Sequence, residues 1–407
     1  MEKETIGAEN GLVGVQQAQE QLPDEELLGA LSTQLEKQAV LRQYYTTECQ
    51  PVKGLQPADT ALLSDSQSIF SECSPQMSKY FKNALIFDKS KANLRFELNH
   101  IYRQLIPRWH FAMLNDVERN DAFQIAIKRA VYPGCTVLDV GAGSGLLAMM
   151  AARQGAHFIT SCEMLQPLAY LAKRIVALNG FKDQIKIVPK KSQDLLVGRD
   201  LANRANILIT ETVDCGLVGE GILPIIRHAR QSLLTPEATI IPARAVIKFS
   251  LLESSMVHNL NFVSNAADFD VSPFNIFSTM GYFPVRLWIW PHRLLSQPST
   301  AFEFDFRVDS LTARQRQMSV QVERSGTLHG IVFWFELDLG NGVVFNNAVD
   351  NNKSHWMQAV QCFETPIAVQ QDELLELIIR QDDANINFKI TKPLSTSSSS
   401  PINSTKL

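Results

Sequence analysis

The chain has 407 residues, of which 45% are hydrophobic and 20% charged, with a formal net charge of -4 at pH 7. That length and apolar content suit two or three cored domains, while a mildly acidic balance without a basic stripe argues against a direct nucleic-acid partner and would not repel a cationic substrate. Apolar runs of strand length offer no membrane span, and no basic-then-apolar segment signals secretion.

Residues 1–93 read as an N-terminal extension. Its first 23 or so residues are rich in Gln and Glu and poor in large apolar side chains, which predicts disorder. Between residues 24 and 45, Leu27, Leu31 and Leu35 recur every four positions, as one face of a helix requires. Residues 46–93 show no clear period and no repeat.

From residue 94 to 242 strands alternate with helices. Candidate strands lie at 136–140, 157–162, 185–189 and 206–211, and candidate helices at 121–131, 145–154, 165–179 and 222–234. Alternation at this spacing predicts an α/β, Rossmann-like domain, a parallel sheet with helices on both faces. Its first strand runs into Gly141, Gly143 and Gly145 and then an apolar helix. Glycine turns sharply and lets a ligand lie against bare amides at a helix N-terminus. Twenty positions past Gly143, at the end of the next strand, stands Glu163, placed to bind ribose hydroxyls.

The fourth strand leads into Thr210-Glu211-Thr-Val-Asp-Cys-Gly-Leu-Val-Gly-Glu220-Gly221. Ligands of open α/β sheets sit at the carboxyl ends of the strands, which puts Glu211 and Glu220 beside the glycine turn. Gly216, Gly219 and Gly221 would let the loop fold back and bring the two acids together. Two carboxylates facing one cavity repel unless a cation lies between them, and a planar guanidinium is the best-matched organic cation.

Residues 243–390 change character. Phe302, Phe304 and Phe306 alternate with polar neighbours, and Phe333, Phe335, Leu337 and Leu339 alternate with Trp334, Glu336, Asp338 and Gly340. Period two with one polar face predicts an antiparallel β-barrel or β-sandwich domain. Within it residues 253–290 are irregular and rich in Asn, Ser, Phe and Pro, as an arm-like insertion would be. The Ser-rich tail, 391–407, reads as disordered. The six cysteines (Cys49, Cys73, Cys135, Cys162, Cys215, Cys362) are scattered without zinc spacing, which predicts free thiols, no metal, and a cytoplasmic or nuclear setting.

The pieces Trp109-His-Phe-Ala-Met-Leu-Asn-Asp-Val-Glu-Arg-Asn120, Val137-Leu-Asp-Val-Gly-Ala-Gly-Ser-Gly145, Glu163, Thr210 through Gly221 and Ser354-His-Trp356 stand in the order of a known family. From Trp109 onward the chain resembles the protein arginine N-methyltransferases, most closely the type 9 and type 7 branches. The resemblance implies that Gly141, Gly143 and Gly145 cradle S-adenosyl-L-methionine and that Glu163 holds its ribose. Arg119 would pair with the methionine carboxylate, with His110 lining the same pocket. Ser192, by its backbone, and Gln193 would meet the adenine. Glu211 and Glu220 would grip the substrate arginine, and Asp116 with His355 would form a hydrogen-bonded pair that supports proton removal. Met113 is a core residue by its helix position, although the resemblance places it near the substrate.

The chemistry agrees with these roles. An arginine is a poor nucleophile because its charge is delocalised and its pKa lies above about 12. Two carboxylates on one guanidinium would hold positive charge on the gripped nitrogens and leave lone-pair density on the third. The proton released would pass to Glu220 or to the Asp116–His355 pair. Similarity to the type 9 branch implies monomethyl and symmetric dimethyl arginine as products.

Two features depart from the family pattern. Gln104 stands where an aromatic of the cofactor lid would be expected, and the loop after Glu211 carries Val, Asp, Cys and Gly in place of bulkier residues. Asp214 in that loop either reads a basic neighbour of the target arginine or caps the turn. Type 7 and 9 members carry two such modules in one chain and this sequence shows one, so a homodimer through 253–290 is expected, with an arginine-containing protein as substrate and no membrane or direct nucleic-acid partner. A class I methyltransferase acting on another substrate, and a non-catalytic binding platform, are the alternative functions. The β domain and the Ser-His-Trp segment speak against the former.

Overall fold

The computed structural model describes residues 106–391. The extension 1–93 with its expected helix at 24–45, Gln104, and the tail from 392 onward lie outside the described residues.

Two helices open the described chain, α1 (Trp109–Leu114) and α2 (Val117–Ala130). The second begins four residues before the expected 121, because the Asp116 side chain accepts the Arg119 amide and caps it. Glu118 in its first turn and Lys128 and Arg129 in its last complement the helix dipole. Arg119, Ala122, Phe123, Ala126 and Ile127 repeat at helical spacing on its buried face.

The α/β part then runs β1 (Thr136–Val140), α3 (Leu146–Arg153), β2 (Phe158–Cys162), α4 (Gln166–Leu178), β3 (Ile185–Val188), β4 (Ala205–Thr210), α5 (Ile222–Ser232) and β5 (Leu234–Ile241). The strands pair in parallel in the order β3-β2-β1-β4-β5. The order reverses between β1 and β4, and the carboxyl ends of those two strands open a crevice suited to a ligand. Strand β5 has no sequence signature. Its register against β4 jumps from Leu234 to Thr239, so Thr235–Ala238, with Pro236, bulge out of the ladder and hide the period.

The remainder is antiparallel. It comprises β6 (Arg244–Glu253), a short α6 (Ser255–His258), β7 (Asn265–Ala266), β8 (Phe269–Asp270), β9 (Phe283–Val285), β10 (Arg293–Leu294), β11 (Ser299–Asp305) and β12 (Arg314–Gln321). After these come β13 (Gly326–Gly340), β14 (Val343–Asn346), β15 (Gln358–Val369), β16 (Leu374–Gln381) and β17 (Ile386–Thr391). One sheet runs β10-β6-β13-β15-β9, with β11 beside β6 and β14 beside β13; a second is β12-β16-β17. Phe249, Phe304, Phe306, Phe333, Phe335 and Phe388 are fully buried between them. Trp334 departs from the expected polar face of its strand. It is buried in a second cluster with Leu252, Val257, Val285 and Leu287, where the 253–290 segment covers that side of the sheet. That segment is less irregular than its composition suggests, holding α6, the β7–β8 hairpin, a 3-10 turn at Ser272–Phe277 and β9. Among the described residues no helix is long and apolar enough to cross a membrane.

Candidate active site

The glycine turn is built from three positive-φ positions, Gly141 at 84°, Gly143 at 53° and Gly145 at 80°. Gly145 caps α3 in the left-handed region, which a side chain enters only with strain. The Gly141 and Ala142 amides donate to the Cys162 carbonyl at 3.0 and 2.9 Å, tying the turn to the end of β2. Glu163, next in the chain, accepts the Gly143 amide at 3.1 Å and the Leu165 amide at 2.9 Å, one on each oxygen. Each oxygen keeps a second lone pair for a ligand hydroxyl.

Gly141, Ala142, Gly143, Cys162, Glu163 and Leu165 form one wall of a cavity of about 580 Å³, whereas Gly145, expected to touch the donor, starts α3 facing Val176 and does not line it. His110, Met113 and Arg119 come to it from the first two helices, Gly141, Gly143 and Glu163 from the sheet, and Ser192 and Gln193 from the turn after β3. Glu211 and Glu220 complete it. The His110 ring stacks on Trp109 at 3.9 Å between centroids. Ser192 donates to Gln193 Oε1 at 3.2 Å, and both stand with Lys190 and Lys191 at the far end.

Charge is uneven around the two acids of the loop. Arg119 donates from Nη2 to Glu211 at 2.8 Å and from Nη1 to Asn120 at 2.8 Å, while its Nε, also buried, has no hydrogen-bond partner. Glu220 has solvent access through the cavity, yet protein surrounds it. Burial, and after it the charges of Glu211, Asp214 and Glu163, push its carboxyl up to about 7. Beneath the turn, Asp139 at the end of β1 is fully buried, with burial pushing it up to about 7 against a 2.6 Å hydrogen bond from Ser161. Its Oδ1 has no partner. An acid inside an apolar strand is the signal that could have singled Asp139 out in the sequence.

Asp116 and His355 meet as expected. Asp116 Oδ2 accepts both the ring Nδ1 and the backbone amide of His355, each at 2.8 Å, and its Oδ1 accepts the Arg119 amide at 2.9 Å. Burial acts to raise the Asp116 pKa, but these hydrogen bonds outweigh it and hold the carboxyl below its ordinary value. Neither residue lines the 580 Å³ cavity; the pair joins the start of α2 to the segment before β15.

Asp214 turns inward and caps its own loop, which removes the reading in which it faces a neighbour of the target. It accepts the amides of Gly216 at 3.2 Å and Gly219 at 2.9 Å, and the hydroxyl of Tyr282 at 2.8 Å. The antiparallel part holds this loop at two more points: Trp356 Nε1 donates to the Val213 carbonyl at 3.1 Å, and Asn347 to the Cys215 carbonyl at 3.1 Å. Tyr282 and Asn347 carry no sequence signal, since their partners are distant in the chain. Among the described residues no group of three or more His, Cys, Asp or Glu is placed to hold a metal ion, and Cys135, Cys162, Cys215 and Cys362 are free thiols.

Residues 243–393 match the family described as arginine methyltransferase oligomerization subdomain, and residues 124–218 match ribosomal protein L11 methyltransferase (PrmA). Arginine N(omega)-methyltransferase of Streptomyces achromogenes subsp. streptozoticus is 43% identical over 290 residues, covering 71% of this chain and 80% of that one. Protein arginine N-methyltransferase 7 of Drosophila grimshawi is 33% identical over 261 residues, covering 59% of this chain; the chain spans only 37% of that relative's length. Among solved structures, the Trypanosoma brucei PRMT1 enzyme-prozyme heterotetrameric complex with AdoHcy shares the fold at a TM-score of 0.59 and 22% identity, over 69% of this chain and 90% of that one.

Proposed function

The chain belongs to the protein arginine methyltransferase family, and on that premise we propose that it transfers a methyl group from S-adenosyl-L-methionine to a guanidino nitrogen of an arginine within a protein. One observation carries the reading. Glu211 and Glu220 open on the same cavity, Arg119 is held to Glu211, and the charges acting on Glu220 are those of other acids, with no cation beside it among the described residues. A guanidinium entering beside Glu220 supplies the missing charge and can bond both acids.

The donor fits the residues present. A Cβ built on Gly143 meets nothing within 4 Å, so bare backbone faces open space there, and Arg119, which lines the cavity, has a buried Nε without a partner. Gly141 and Gly143 would hold the methionine end, with Gly145 shaping the turn, Arg119 and His110 its carboxylate, Glu163 the ribose, and Ser192 and Gln193 the adenine. When bound, the donor supplies an electrophilic methyl group on its sulfonium. The chain's own part is to orient the guanidinium and to receive its proton. Glu220 takes the second task in this reading, supported by its position in the cavity lining and by a carboxyl pushed up to about 7. Asp116 and His355 would support it by fixing α2, and with it Arg119.

Monomethyl and symmetric dimethyl arginine are the proposed products, and the cytoplasm or nucleus the proposed setting. A homodimer through the 253–290 arm is supported by the exposed apolar side chains Phe269, Phe274, Phe277 and Met280 on it. The test is transfer of labelled methyl to an Arg- and Gly-rich peptide, with product type read by mass spectrometry. The Streptomyces relative is named for arginine without mention of protein, so free L-arginine is the comparison substrate. Methylation of the free amino acid alone would replace the protein-substrate reading, and absence of transfer to either would refute the proposal.

A further inference from the structure

The loop between the two candidate clamp acids contains two glycines that its backbone does not require. Gly216 and Gly219 are not among the positive-φ positions, whereas Gly221 at 83° is. Their side-chain space is taken instead. A Cβ on Gly216 would lie 2.6 Å from the Tyr282 ring, and one on Gly219 would collide with the Asp214 carboxylate. The loop is thus shaped to let Tyr282 and Asp214 press against it.

These two residues act as a chain of contacts. Tyr282 packs edge-on against Phe333 of β13, 5.0 Å between centroids, and points its hydroxyl to Asp214 Oδ2. The other oxygen of Asp214 gathers the amides of Gly216 and Gly219, and Gly219 is bonded directly to Glu220. Trp356 and Asn347 anchor the loop at Val213 and Cys215, before Gly216; Asp214 holds the stretch after it. Tyr282 itself lies within the arm, directly before β9 and two residues beyond Met280, which is 88% exposed.

We propose that Tyr282 and Asp214 are positioning residues for Glu220, making the placement of the second clamp acid depend on the arm that carries Tyr282. This rests on the proposed role of Glu220 in gripping arginine. Neither residue lines the cavity, so both act through the loop. The electrostatics agree with the geometry: burial raises the Asp214 pKa, and the two amides and the Tyr282 hydroxyl offset part of that rise. Cys215, Glu220 and, through Tyr282, Asp382 are the other titratable groups in this cluster.

The experiment uses the full chain and the substitutions Tyr282→Phe, Asp214→Asn and Asp214→Ala. Removing one hydroxyl bonded to a carboxylate should lower single-turnover transfer to the peptide about tenfold in Tyr282→Phe, with donor affinity by calorimetry within about twofold of wild type. Its pH–rate profile should lose activity at higher pH than wild type, because Asp214 without the hydroxyl takes a proton more readily; a purely structural defect would lower the rate evenly at all pH. Asp214→Asn keeps an acceptor oxygen for the glycine amides and should recover much of the activity lost in Asp214→Ala. A Tyr282→Phe protein with wild-type rate and profile, or equal losses in the two Asp214 variants, overturns the proposal. A wild-type chain that methylates neither peptide nor free arginine brings down the proposed function first and this inference with it. If Asp214→Ala no longer binds the donor, the Tyr282→Phe profile alone decides.

Discussion

Arg119 and Glu211, far apart in the chain, are bound to each other at 2.8 Å with side chains only 3% and 8% exposed. The residue expected to hold the donor's carboxylate and the residue expected to hold the substrate's guanidinium therefore share one contact. Filling either half of the cavity bears on the other. Removing one partner of a buried pair costs about 3–5 kcal/mol, because the remaining charge is left unmatched. Arg119→Ala should accordingly lower stability and donor affinity together, while Arg119→Ala with Glu211→Gln should recover part of the stability and none of the transfer. Chemical denaturation beside calorimetric titration of the donor checks this; additive stability losses in the double variant would mean the pair is not coupled.

The glycine turn separates binding from folding. A side chain at Gly143 meets no protein atom within 4 Å, whereas one at Gly145 lies 2.9 Å from Val176 of α4. Gly143→Val should fold, with a left-handed φ costing about 1–2 kcal/mol, and lose donor binding by more than about a hundredfold. Gly145→Val should instead fail in the packing of α3 on α4. Thermal melts and donor titration of the two variants distinguish these outcomes. Normal donor affinity in Gly143→Val would remove the turn from the site.

What could be read in the sequence was local. The run from Val137 to Ala151 and the position of Glu163 are fixed by neighbours in the chain, and strand and helix bounds there fall within a residue or two of those expected. The earlier start of α2 is itself a local feature, since its cap Asp116 accepts the amide of Arg119 three positions on. Strand β5 was hidden by the bulge at Pro236, and Trp334 looked exposed because alternation says nothing about a segment folding over the second face. The inward turn of Asp214 depends on Tyr282, which sits in a stretch with no period at all. Long-range polar contacts have no signature in a single sequence.

Glu220 gives a pH dependence with a definite sign. Its folded-state pKa, about 7, lies above the ordinary value of 4.5, so the carboxylate that grips a guanidinium is formed only as pH rises through about 7. Transfer measured as kcat/KM should therefore climb across that range. The same shift acts on stability in the opposite direction. The folded chain holds this proton more tightly than the unfolded one, so the contribution of Glu220 to stability is present below 4.5 and is lost as pH rises through about 7. Glu220→Gln should melt a few degrees above wild type at pH 8 and level with it near pH 4, a small effect because solvent reaches this group. A variant no more stable than wild type at pH 8 would show that the carboxylate is not strained in the folded chain.

The paired acids give the sharpest test. If Glu211 and Glu220 bind one guanidinium, each is needed for transfer and neither should dominate donor binding. Glu211→Gln keeps size and shape but removes the charge that balances the entering cation. The loss of a buried charge partner, about 3–5 kcal/mol, felt in the transition state would slow transfer by roughly a hundred- to several-thousand-fold. Glu220→Gln should do likewise, and the double variant should be little slower than either single one, because groups that act as a unit are not additive. Donor affinity should move by less than about tenfold in all three, with Glu211→Gln changing it most because Arg119 loses its partner. Single-turnover transfer to an arginine peptide, run beside donor titration, reads both quantities. Full activity in Glu211→Gln, or losses in the two single variants that multiply in the double one, would mean that the acids do not share a guanidinium.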